Sequence, residues 1–459
     1  MRKNACVLFG LALLFGLVNT VSGTCPFCSA VSQTLRQEME AMDTVAIARI
    51  INGSESDSEA DFSVVSIIRG QKLVEEQQAL RVNYFGKAKE DQQFLLMGVD
   101  PPDLLWSSPL PVSETAIKYV EAISKLPEDS KTRLEFYMDY LEHPESLLAR
   151  DAYDEFASAP YPEIKSLKHK MDRKQLIGWI KDTSLPPDRK RLYLVMLGVC
   201  GKKSDAKLLE EMLRSDDPNR RAGLDSMIAC YATLKGGKGL NLIDELFLSN
   251  TKSQYADTYA AIMALRFHGT DGGVIKKERV LKSMRLILDR PELADLVIPD
   301  LARWSDWSQI DKLVDLFKNA DEKSSWVRVP VINYLRACPL PEAAEKLEEI
   351  KEIDPAAYKR ATSFFPVPKA SDSSSSTIQP DRVRNIASDQ MNAVPAGTLM
   401  ASKGFSASPA NISANPQTSE GSAWANRAMA GSVTMLASMT VGLSMWLSIS
   451  GAGKTAFPA

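Results

Sequence analysis

The apolar positions of this chain change period several times, and each change marks a different kind of structure. Residues 5–18 are an unbroken apolar run behind Arg2 and Lys3 and ahead of Val21, Ser22 and Gly23. A basic start, a short apolar stretch and small residues before a cleavage point are the grammar of an export signal, so residues 1–23 read as a removable leader. Across 25–42, Val31, Leu35 and Met39 recur every fourth residue, which predicts a helix. The period then falls to two. Leu80, Val82 and Tyr84 alternate with Arg81 and Asn83, and the runs 44–51, 62–68, 80–85 and 94–99 are rich in β-branched and aromatic residues. Gly53, Gly70 and Gly86 separate these runs and Pro101-Pro102 closes the set. Residues 24–112 are therefore expected to form a small β-rich domain with an amino-terminal helix, folded as an antiparallel barrel or sandwich.

From 113 to 366 the pattern is helical and repetitive. Apolar stripes at 192–200 and 208–213, 224–234 and 240–248, 259–267 and 280–288, 296–304 and 310–317, and 327–337 and 343–350 read as five pairs of amphipathic helices joined by short turns. Pro218, Pro291 and Pro341 fall at pair or helix starts, where a missing N–H costs least. One pair cannot bury its own apolar faces, and stacking on its neighbours does so, which predicts an all-α solenoid. Residues 367–426 carry a serine cluster (Ser371, Ser373 to Ser376) and are otherwise rich in Pro, Ala, Asn and Thr, a composition that reads as a disordered stalk. Residues 428–453 are uncharged and apolar between Arg427 and Lys454, so 427–453 reads as one transmembrane helix and 454–459 would be a short tail. Within that helix Ala430, Thr434, Ser438 and Gly442 form a small-residue ridge, a candidate face for self-association.

The whole thus reads as a multidomain chain held at the cell membrane by a single pass, with its folded parts extracytoplasmic, on the periplasmic side or the cell surface. Composition narrows the chemistry. With 459 residues, 44% hydrophobic and 25% charged, an ordinary packed core is feasible, and a net charge of −3 with interspersed signs argues against a nucleic-acid binder. His143, His169 and His268 are the only histidines, none beside a second His or a Cys, so the sequence calls for no metal or cofactor. Beyond the leader there are five cysteines. Cys25-Pro26-Phe27-Cys28 is the sharpest local signal, either a structural disulfide or a redox pair at a helix start. No strand precedes it and no His follows Cys28, which removes the thioredoxin and haem-attachment patterns. Cys200, Cys230 and Cys338 recur late in the first helices of their pairs and read as core residues. Trp304 and Trp307, at a helix–helix turn, are the candidate binding residues; the competing reading has them close the core between neighbours. Gly236-Gly237-Lys238-Gly239 has no strand before it and reads as a turn, not a phosphate cradle.

Asp216-Asp217-Pro218-Asn219-Arg220-Arg221, opening one pair, and Trp326-Val327-Arg328, opening a later one, resemble the HEAT/armadillo type of α-solenoid. The resemblance spans roughly residues 134–366 and implies a scaffold for binding other macromolecules. The β-rich segment behind its cysteines is loosely similar to netrin-like modules. The layout as a whole resembles that of uncharacterised bacterial membrane-anchored HEAT-like surface proteins. The expectation is a non-catalytic, membrane-anchored, extracytoplasmic scaffold or protein-binding module; the alternative is a thiol–disulfide redox protein acting through Cys25 and Cys28.

Overall fold

In the computed structural model, which describes residues 25–29, 33–53, 58–86, 89 and 91–364, the β-rich segment is a single antiparallel sheet curled to a near-barrel. Its strands are β1 (Thr44–Gly53), β2 (Glu59–Arg69), β3 (Ala79–Asn83), β4 (Gln93–Val99), β5 (Leu105–Trp106) and β6 (Leu110–Val112). The order is β3-β2-β1-β4-β5, with β6 also pairing β4. The four predicted strands are present, and the two short ones lie where the alternation is too brief to read.

Both faces of the sheet are buried, which explains why β1 and β4 read as nearly continuous apolar runs. Ala46, Ala48, Ala60, Phe62, Val64, Phe94 and Leu96 face a core of their own. The small Ala46 and Ala48 stand opposite Leu96 and Phe94, and Phe62, Phe94 and Tyr84 meet edge-on at 5.2–6.1 Å, filling the space inside the curl. Register shifts along the β1–β2 pairing supply the extra twist. The opposite face, with Val45, Ile47, Leu95, Met97 and Val112, joins the core of the helices.

The helical region begins at Glu114, because the Ser113 hydroxyl accepts the N–H of Ala116 and caps the helix that starts there. In chain order the helices are α1 (Leu35–Glu40), α2 (Glu114–Ile123), α3 (Ser130–Met138), α4 (Ser146–Ser158), α5 (Tyr161–Ser166), α6 (Arg173–Lys181), α7 (Pro187–Cys200), α8 (Ala206–Leu213), α9 (Leu224–Lys235), α10 (Leu240–Ile243), α11 (Tyr255–Thr270), α12 (Lys277–Arg285), α13 (Ile298–Arg303), α14 (Ile310–Lys318), α15 (Arg328–Ala337), α16 (Pro341–Ile353) and α17 (Pro355–Phe364). A turn of π-helix, Asp244–Leu248, prolongs α10. The five predicted pairs appear as α7/α8, α9/α10, α11/α12, α13/α14 and α15/α16. First helices pack on one another in sequence, α7 on α9, α9 on α11, α13 on α15 and α15 on α17, giving the succession of a helical-repeat region.

Arginine–aspartate pairs tie four of the first helices, or the turns that open them, to the next: Arg191–Asp225 at 2.9 Å, Arg221–Asp257 at 2.9 Å, Arg266–Asp300 at 2.8 Å and Arg328–Asp354 at 2.7 Å. The Asp216 to Arg221 stretch is one such joint. Its Arg221 reaches forward to α11, while Lys190 of α7 reaches its Asn219 carbonyl at 3.2 Å.

One expectation is corrected here. Residues 25–42 are not one helix. Residues 25–28 form a turn, and α1 starts only at Leu35, where Thr34 and Gln37 make a reciprocal capping box. The leader, the stalk, the transmembrane helix and the Ala430/Thr434/Ser438/Gly442 ridge lie outside the described residues. Among the described residues no helix is long and apolar enough to cross a membrane.

Candidate functional site

Three places concentrate unusual chemistry, and the first is the amino-terminal loop. Cys25 and Cys28 are joined as a disulfide. Cys25 is only 2% exposed and donates its N–H to the Ala157 carbonyl at the end of α4 (3.3 Å). Phe27 is buried against Phe267 of α11 at 5.3 Å, and Phe267 in turn meets Tyr161 of α5 at 5.2 Å. The Tyr153 hydroxyl donates to the Ser29 carbonyl at 3.4 Å. The cysteine motif therefore carries an aromatic peg that packs on α11 while its first residue is bonded to the end of α4.

The second place is the joint of α1 with α4, which the sequence did not single out. Asp151 is buried, with one carboxylate oxygen accepting the Leu35 N–H at 2.6 Å and the other the Tyr119 hydroxyl at 2.6 Å. Asp154 and Glu155, on the same helix, are buried too. Arg36 stands 3.7 Å from Glu155, and Arg150 is 3.8 Å from Asp154. Burial, with Glu155 and Asp154 adding repulsion against the two hydrogen bonds, pushes Asp151 up to about 7. The fully buried Tyr137 hydroxyl has no hydrogen-bond partner there, and burial beside Glu155 and Asp151 drives its ionisation far up. A signal for this site existed: Asp151 and Glu155 follow Leu148 at helical spacing, on the stripe that should be apolar.

The third place is an exposed aromatic edge. Tyr255 (54% exposed) and Tyr259 stack nearly parallel at the start of α11, 6.1 Å apart with 10° between planes. Asp295 lies beside Tyr255, and the turn that holds it, Ala294–Leu296, packs on the turn Ser325–Val327. That second turn carries Trp326, 75% exposed. Tyr255 and Tyr259 lie in the first turns of α11, and Trp326 lies just ahead of α15.

The predicted Trp304 and Trp307 lie elsewhere and are both half-buried against the core. Trp304 covers Gly269 of α11 so closely that a β-carbon there would stand 2.2 Å from its ring. Trp307 meets Tyr334 edge-on at 5.1 Å, and the Tyr334 hydroxyl donates to the Asp306 carbonyl at 2.5 Å. Both indoles therefore pack between neighbouring helices. Cys230 is buried within α9, Cys200 ends α7 and Cys338 caps α15, so only part of the expected equivalence holds. Burial pushes the Cys200 and Cys230 thiols up, away from the thiolate.

The histidines do not converge. His143 accepts the Glu145 N–H, His169 faces Glu135 at 3.6 Å, and His268 is core, its Nε2 3.1 Å from the Ala229 carbonyl. Among the described residues no group of three or more His, Cys, Asp or Glu is placed to hold a metal ion. Residues Gly236–Gly239 form a 3-10 turn running into α10. A shallow recess of about 380 Å³ beside β6 includes Ser113, whose hydroxyl is engaged in capping α2 and in a 2.7 Å bond to Glu145. No family model, curated protein or solved structure matches the chain.

Proposed function

We propose that this chain is a HEAT-like, membrane-anchored extracytoplasmic scaffold that binds a protein partner and catalyses no reaction. The observation that carries the reading is the aromatic edge of Tyr255, Tyr259 and Trp326. Large aromatic rings held out in solvent on a rigid stack are the anchors that protein interfaces use, because they bury much area for little ordering entropy. The ion-paired helix stack behind them supplies the rigidity. Export and membrane attachment rest on the apolar runs 5–18 and 428–453.

The test is a crosslinking capture from envelope and membrane extracts with the full chain and with a Tyr255→Ala/Trp326→Ala variant. A partner captured by the full chain and lost from the equally stable variant supports the reading. Equal capture by both, or capture of nothing, removes it.

The redox alternative is favoured by one observation, the disulfide between Cys25 and Cys28 with Cys28 partly exposed. The depth of Cys25 and the docking of Phe27 support a structural bond instead, because exchange needs an in-line approach to a sulfur. Alkylation trapping after mild dithiol treatment separates the two: rapid, reversible opening of the native pair supports the enzyme, and inertness supports the brace.

A further inference from the structure

We propose that the two amino-terminal pieces 25–29 and 33–40 form a strap that is fastened to the helical region at acid pH and loosened as pH rises, with Asp151 as its fastening. The strap has two anchor points. At one end Phe27 packs against Phe267 of α11, and the Cys25 N–H donates to the Ala157 carbonyl. At the other, the first N–H of α1, that of Leu35, ends on the Asp151 carboxyl, which also holds Tyr119 of α2.

The charges around that carboxyl are unbalanced. Nearby on α1 are Arg36, which is drawn to Glu155 and Glu40, and Glu38, whose carboxyl is itself raised by burial and by Asp154. From α2 comes Tyr119, and from α3 come Tyr137 and, through Tyr137, Arg133. Its own helix supplies Asp154, Glu155 and Arg150. Arg36 is committed to Glu155 and Glu40, and Arg150 lies next to Asp154. No cation among the described residues is paired with Asp151, so ionising it places a third negative charge beside Asp154 and Glu155 in a dry site.

When the strap lifts, Asp151 meets water and recovers an ordinary carboxyl. The fastened form therefore binds the proton more tightly than the open form. By linkage the opening constant rises with pH between about 4 and about 7 and is level above, where both forms are ionised. Lifting also withdraws Phe27 from the Phe267 ring it packs against.

The experiment is hydrogen exchange followed by mass spectrometry on the full chain from pH 5 to 8.5, read on a peptide covering 33–42 and corrected for intrinsic rates. A peptide from α9 serves as the control for global opening. We expect the strap's opening constant to rise about tenfold per pH unit up to about 7 and then level, with α9 unaffected. Asp151→Asn, a shape-matched stand-in for the protonated acid, should abolish the slope and keep the strap closed throughout. Tyr119→Phe removes a bond that favours the carboxylate and should move the levelling point to higher pH. A pH-independent strap in the native chain overturns the proposal. So does a native slope retained in Asp151→Asn, or a levelling point unmoved by Tyr119→Phe.

Discussion

The ring of Phe27 meets that of Phe267 edge-on, 5.3 Å between centroids and 61° between planes. It joins the first described turn of the chain to a helix in the middle of the stack. Nothing local demands this contact, and it explains why Cys25 to Cys28 is a turn and not the start of a helix. The disulfide shapes the loop and the aromatic peg docks it.

Phe27→Ala should therefore destabilise the molecule by about 3 kcal/mol, the cost of emptying an aromatic seat. Urea unfolding with an unchanged m-value measures it. Phe85→Ala, at a side chain 77% exposed in the loop after β3, should stay within about 0.5 kcal/mol. Equal effects from the two would mean that Phe27 contributes no packing.

Gly269→Ala tests the approach of Trp304. A β-carbon 2.2 Å from a ring carbon forces the indole out of place, so a loss of about 1–3 kcal/mol is expected, with a shift in tryptophan emission. A variant with native emission and stability would show that the helices separate freely at this joint.

Arg266→Met leaves the Asp300 carboxylate, 1% exposed, with Arg303 at 3.2 Å as its remaining partner. Stranding much of a buried charge should cost about 3 kcal/mol. Arg81→Met, in the solvent-screened pair with Asp61, should change stability far less than Arg266→Met does. An Arg266→Met/Asp300→Leu double variant should recover part of the loss, which a thermal-unfolding cycle would register.

Global stability should respond to pH through two opposed groups. Burial holds His268 down at about 4, below its unfolded value. The unfolded chain then binds the extra proton, so this contribution is present above about 6.5 and is lost as pH falls through 4, about 3 kcal/mol in all. Asp151 has the opposite sign: its contribution is present below about 4 and is lost as pH rises through 7. Between pH 4 and 6.5 the two largely offset. His268→Gln should expose a stability that falls with pH, and Asp151→Asn one that rises. Denaturant midpoints measured across pH 4 to 8 would refute this pairing if both variants kept the native profile.

The helices of the five pairs and the four longer strands were legible because burial on one or two faces imposes a period of 3.6 or 2 on the residues themselves. The switch to a helical pattern at 113 was legible too, and there the Ser113 side chain caps the first long helix through a local hydrogen bond. The functional places were far less legible. Asp151 looks like any helix-surface acid until α1, α2 and α3 close around it. Trp304 and Trp307 look alike in the chain to Trp326, yet the first two are packed between helices and the last stands in solvent.

Order along the chain, element type and the break between strand and helix periods follow from short-range sterics, capping and solvent exclusion, which act within a few residues and leave their record in the sequence. Which carboxyl loses water, which aromatic ring is left outside and where the Cys25–Cys28 loop docks depend on contacts between segments far apart in the chain. Those were settled when the sheet and the helices packed around a shared interior, because desolvation and van der Waals contact belong to the assembled surfaces and to no single stretch of residues.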